Sequence, residues 1–197
     1  MEEENKVNEE NESQNTVKDF TYPSFWGRAG AYILDGLILL PVNILFDSMI
    51  KELYTNENML YLSVIVSVIF SFLFNFYRIF FNTKFNGTPG KLLCKFKIYR
   101  EDGMPVTWET SIKREAIYIV LSLFGFLVFY KFFFTHRAEI NTFALANSLF
   151  SKSIGATITT WISFIICLFD FGKALFSPKR ITFHDKIAGT VVVYKPV

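Results

Sequence analysis

Arg28 and Asp35 both stand in the first apolar stretch of the chain, WGRAGAYILDGLILL. A charge near the middle of a membrane helix costs about 2.5–3.5 kcal/mol, so it faces a partner, a water-filled cavity or a substrate path. As i and i+7 the two side chains share one helix face, about 10 Å apart along the axis. They are too far apart to pair in one helix, so each must find its counter-group on another element. Asp170 poses the same question in the last apolar stretch. Carboxylates so placed suit two tasks. They can neutralise buried cations, or they can alternate between a proton and a hard cation with oxygen ligands.

The elements that must position these groups are membrane spans. The 197 residues are 51% hydrophobic and 18% aromatic, with 24 Phe. The apolar residues come in blocks rather than at amphipathic spacing. Four spanning helices are expected, at about 27–46, 59–81, 116–135 and 154–176. The first carries Asp35, Pro41 and Asn43, but ten residues from Ile33 to Phe46 are Ile, Leu, Val or Phe. At roughly 0.3–0.6 kcal/mol each, they outweigh one off-centre carboxylate. No cleavable signal peptide is expected, because the N-terminus is acidic and lacks a basic n-region.

Lys and Arg number three through Arg28, seven in 82–115 and four after 176, against one in 47–58 and two in 136–153. That bias predicts a multi-pass cell-membrane protein with both termini and the central loop cytoplasmic, in agreement with an even number of spans. Residues 1–20 form an acidic tail expected to be disordered, leaving 21–197 as the membrane domain. The fold class is all-α integral membrane: a four-helix transmembrane bundle with a small cytoplasmic β-hairpin element.

Polar residues form stripes inside the spans. Ser63, Ser67, Ser71 and Asn75 recur at intervals of four in the second, followed by Arg78 and Asn82. Thr159, Ser163, Asp170 and Lys173 make a band in the fourth, and Asn43 shares the Arg28–Asp35 face. Asp35 lies ~9–13 Å and Asp170 ~9 Å from the cytoplasmic helix ends at 1.5 Å per residue. The candidate ion- or proton-binding groups are therefore Asp35, Asp170, Ser71, Asn75 and Ser163. Arg28, Arg78, Lys173 and Asp185 are the candidate structural charge network, with Asp185 expected to anchor the C-terminal segment by pairing with Arg28. Hydroxyls on membrane helices also serve packing alone, and Asp170–Lys173 is an i,i+3 pair that can satisfy itself.

The segment KFKIYREDGMPVTW alternates around Asp102-Gly103 and predicts a hairpin, to which TVVVYK can add a strand. Lys91, Lys95 and Lys97 are then available to anionic head groups, and positive-inside topology explains them equally well. GTPGK is not a phosphate loop: two residues separate Gly87 from Gly90, and Lys-Leu follows. A tight turn after the second span is expected there. His184-Asp185 has no nucleophile beside it in a recognisable motif. Cys94 and Cys167 make neither a disulfide framework nor a metal set. No enzyme activity, metal, cofactor or nucleic-acid partner is expected.

With Arg28 opening the first helix and Asp35 within it, the chain resembles the RDD family of membrane proteins. NGTPGKLLCKFKIYREDG (86–103) is similar to that family's G-x-[TS]-x-GK segment closing on a D-G turn, apart from Pro89 where small or apolar residues are usual. KRITFHDKIAGTVVV (179–193) is similar to its C-terminal block, with Asp185 at the remaining aspartate. The resemblance covers about residues 23–194. It implies either monovalent cation/proton antiport or an accessory place in a larger membrane assembly; with the intramembrane carboxylates, the expected function is antiport, and the alternative is a non-catalytic accessory or scaffold subunit. The expected partners are the lipid bilayer, monovalent cations and protons under the first reading, and a homo-oligomer or partner membrane protein under either.

Overall fold

The computed structural model describes residues 21–194; the expected disordered tail at 1–20 lies outside them. The element order is α1 (Phe25–Thr55), a 3-10 turn (Glu57–Met59), α2 (Leu60–Phe85), α3 (Pro89–Leu93), β1 (Phe96–Arg100), α4 (Trp108–Thr135), α5 (Phe143–Ser151), α6 (Ile154–Phe176), α7 (Phe183–Ala188) and β2 (Thr190–Tyr194). Among the described residues, four helices are long and apolar enough to cross a membrane: Phe25–Ser48, Glu57–Phe85, Trp108–Thr135 and Ile154–Phe176. The protein is a mostly helical membrane protein with four candidate spans and one small antiparallel sheet.

The chain divides into two compact units. The first takes residues up to Gly36, Arg78–Arg114 and the chain from Asp170; the second takes Leu37–Tyr77 and Glu115–Phe169.

In the first unit, Phe96, Ile98, Val106 and Val192 pack with Ala31 into one apolar cluster. The sheet inside it is antiparallel, with Phe96 opposite Tyr194, Ile98 opposite Val192 and Arg100 opposite Thr190. The strand partner differs from the expected hairpin. The Asp102-Gly103 turn does form, with Gly103 at φ 84° and its N–H bonded to Arg100 O at 2.9 Å. The returning chain makes only a single bridge, Tyr99 to Pro105. Pro105 has no N–H for a ladder, and α4 begins at Trp108. The β-branched run Thr190–Val193 takes the partner position instead.

In the second unit, α1 runs on through the expected outer loop, and Ser63 Oγ donates to Leu53 O at 2.8 Å across the turn into α2. Tyr54 and Ser67 share a 2.6 Å hydroxyl pair. Within 136–153, which reads as a polar loop, Thr142 accepts from the Leu145 N–H and starts α5. Phe143 and Ala146 bury against Leu60, Phe133 and Ile140. Apolar residues at 143, 146, 149 and 150 carry the helical period, but the helix is only nine residues long.

Candidate functional site

The first unit carries a buried ion-pair network built on α7. Thr182 caps that helix: its hydroxyl accepts from Asp185 N–H at 3.3 Å, and Asp185 Oδ2 accepts from Thr182 N–H at 3.2 Å. This reciprocal capping box, closed at the far end by Gly189 at φ 61°, fixes the carboxylate on the inward side. Arg28 Nη1 donates to its Oδ2 at 2.9 Å, and Arg114 Nη1 pairs with Oδ1. Thr190 Oγ1 lies 2.7 Å from Arg114 Nη1 and 3.3 Å from Asp185 Oδ1. Arg28 Nη2 also reaches Val192 O at 3.4 Å, so the first helix clasps β2. Asp185 is fully buried, with side-chain exposures of 7% for Arg28 and 2% for Arg114.

Asp170 joins from the last two turns of α6. Its Oδ1 accepts the His184 backbone N–H at 2.8 Å, and its Oδ2 lies 2.5 Å from His184 Nδ1. Arg114 Nη2 lies 3.1 Å from His184 Nε2. Two guanidiniums, two carboxylates and an imidazole thus meet across α1, α4, α6 and α7, with both guanidiniums on the Asp185 carboxylate.

Asp35 makes a second contact on α1. Its Oδ1 accepts the Gly90 N–H at 2.7 Å and its Oδ2 the Thr88 hydroxyl at 2.5 Å. The carboxylate thus takes up a backbone donor of the first turn of α3, which no helical carbonyl can reach. Gly90 is what permits this approach. A Cβ there would overlap the carbonyl oxygen of Ala31 and the backbone nitrogen of Asp35. Where the sequence predicts a tight turn at GTPGK, Pro89 begins a short helix docked against α1.

Of the expected network, Arg28 and Asp185 come together. Lys173 lies over the Phe183 ring, 5.5 Å from its centre, and Arg78 is half-buried on α2 in the same unit. Of the ion candidates, Asp35 and Asp170 belong to the first unit and Ser71, Asn75 and Ser163 to the second. Ser71 donates to Val68 O at 2.9 Å, and Asn75 Nδ2 reaches Ser122 Oγ at 3.3 Å, joining α2 to α4. Ser163 is exposed on α6. Asn43 turns back on its own helix, donating to Leu39 O at 2.9 Å. A groove of about 270 Å³ in the second unit is lined by Ser67, Ser71, Ser122 and Asn147 among Phe126 and Phe129.

Sequence reasoning missed Arg114 and the role of His184. Arg114 sits in the Lys113-Arg114 flank of a span, where a cation also answers to topology alone.

Burial by itself would raise the Asp185 pKa, but Arg114, His184 and Arg28 beside it hold it well below the usual carboxylate range. A depressed folded-state pKa adds stability above the unfolded value of about 3.9 and loses it as pH falls below that value. The thermal midpoint of the purified protein minus that of Asp185→Asn should therefore stay constant above about pH 5 and shrink below about pH 4.

A model of the RDD family matches residues 22–189. No curated protein and no solved structure matches the chain.

Proposed function

The chain belongs to the RDD family of membrane proteins, and from that membership we propose that it is a non-catalytic accessory or scaffold subunit of a membrane assembly. One observation carries this reading. Asp35, Asp170 and Asp185 are each occupied by donors of the protein itself, two of them in one buried network. Carboxylates used this way hold short elements against span ends and create a fixed surface. Both termini and that surface face the cytoplasm in this proposal, in accord with the Lys and Arg bias. The protein sits in the cell membrane, as a homo-oligomer or beside a partner membrane protein.

Monovalent cation/proton antiport through Asp35 and Asp170 is the second reading. Its support is the 2.5 Å contact of Asp170 Oδ2 with His184 Nδ1 near the end of a span, a pair able to pass a proton. Proteoliposomes separate the two readings. The scaffold predicts no sodium-, lithium- or potassium-driven proton flux from well-folded wild type, and a protein that co-purifies in stoichiometric amount. Flux that disappears in Asp35→Asn would establish antiport in its place.

A further inference from the structure

We propose that α7 is an interfacial helix that binds the head groups of anionic phospholipids, inserting Phe183 and Ile187 while lysines beside it meet the phosphates. Its depth is fixed by the network. The His184 backbone N–H and ring are bonded to Asp170 at 2.8 and 2.5 Å, and Asp170 lies inside the span Ile154–Phe176. The helix is therefore held at the level where α6 leaves the hydrocarbon, not out in the water.

Its two faces have opposite chemistry. His184 and Asp185 turn inward, whereas Phe183 and Ile187, at i and i+4 on the other face, are 47% and 45% exposed. An apolar pair held at this depth fits the head-group–acyl boundary, where an amphipathic helix lies in plane. From Asp170 to Tyr194 the side-chain carboxylates are Asp170 and Asp185, and both are buried. The cations of the same stretch are Lys173, Lys179, Arg180 and Lys186. Lys179 and Lys186 are exposed, and Lys173 stands over the Phe183 ring. Along 170–194 the outward face is thus apolar at its centre and positive at its rim, the complement of an anionic leaflet; the exposed Glu101, whose N–H donates to Gly189 O at 2.9 Å, stands at the far end of α7.

The test uses the full chain, purified in neutral detergent and offered equimolar phosphatidylglycerol and phosphatidylcholine. Lipid retained on the protein is counted by native mass spectrometry. Wild type should retain phosphatidylglycerol several-fold over phosphatidylcholine. Each of Lys179→Gln and Lys186→Gln should cut that preference roughly fivefold, the worth of one basic side chain at an anionic surface. Phe183→Ser should lower retention of both lipids. If the variants do not fold, wild type decides: its preference should fade as potassium chloride is raised. Equal retention of the two lipids by wild type, a preference indifferent to salt, or one that survives in a folded double lysine variant would overturn the proposal. So would loss of the preference to inorganic phosphate at a chloride-matched ionic strength, which would make free phosphate the occupant.

Discussion

Asp185→Ala is expected to destabilise the protein by about 3–5 kcal/mol, the cost of leaving buried cations without their counter-charge. Arg28 and Arg114 are both nearly buried, and both point at that one carboxylate. Removing it also opens the capping box of α7, worth about another 1 kcal/mol. Asp185→Asn keeps the cap acceptor and should cost less than Asp185→Ala. The measurement is urea or thermal unfolding in mild detergent, with yield of monodisperse protein as a second readout. Loss below 1 kcal/mol for Asp185→Ala would show that water reaches the two guanidiniums. The three-body geometry also governs charge reversal. Swapping Arg28 and Asp185 places the new arginine beside Arg114, so it should rescue the single reversals only in part.

Gly90→Ala is expected to cost about 3 kcal/mol, at the upper end for overpacking. Helix propensity alone has the opposite sign, favouring alanine by about 1 kcal/mol inside a helix, so the sign decides between the two effects. The added methyl would meet backbone atoms of Ala31 and Asp35 rather than a flexible side-chain tip. Relief requires α3 to lift off α1, which breaks the Gly90–Asp35 and Thr88–Asp35 hydrogen bonds together. Gly172→Ala is the control, because a methyl there meets open space and should be tolerated. Equal unfolding midpoints for the two variants would contradict the close approach.

The spans were legible because each is a long apolar block and needs no partner to be recognised. Arg28 and Asp185 were legible for a related reason: a charge at a span edge must be answered, and few carboxylates were available to answer it. Residues whose roles depend on contacts distant in sequence were harder to read. Arg114 meets Asp185 from a flank where positive charge also serves topology. His184 looks idle in sequence, since its carboxylate is Asp170, fourteen residues back on another helix. Asp35 is half-buried and bonded to a glycine N–H, a partner that no side-chain inventory lists. The partner of β1 was misjudged because a D-G turn announces a hairpin locally. Pro105 and the start of α4 leave the returning strand no room.

The charged residues of the first unit are stitches between elements far apart in sequence. A double-mutant cycle between Arg28→Gln and Asp185→Asn tests this most directly, read as unfolding free energy in detergent. Non-additivity of about 1–3 kcal/mol is expected, as for groups in one buried network. Additive losses would mean that Arg28 and Asp185 do not hold each other, and the scaffold reading would lose its foundation.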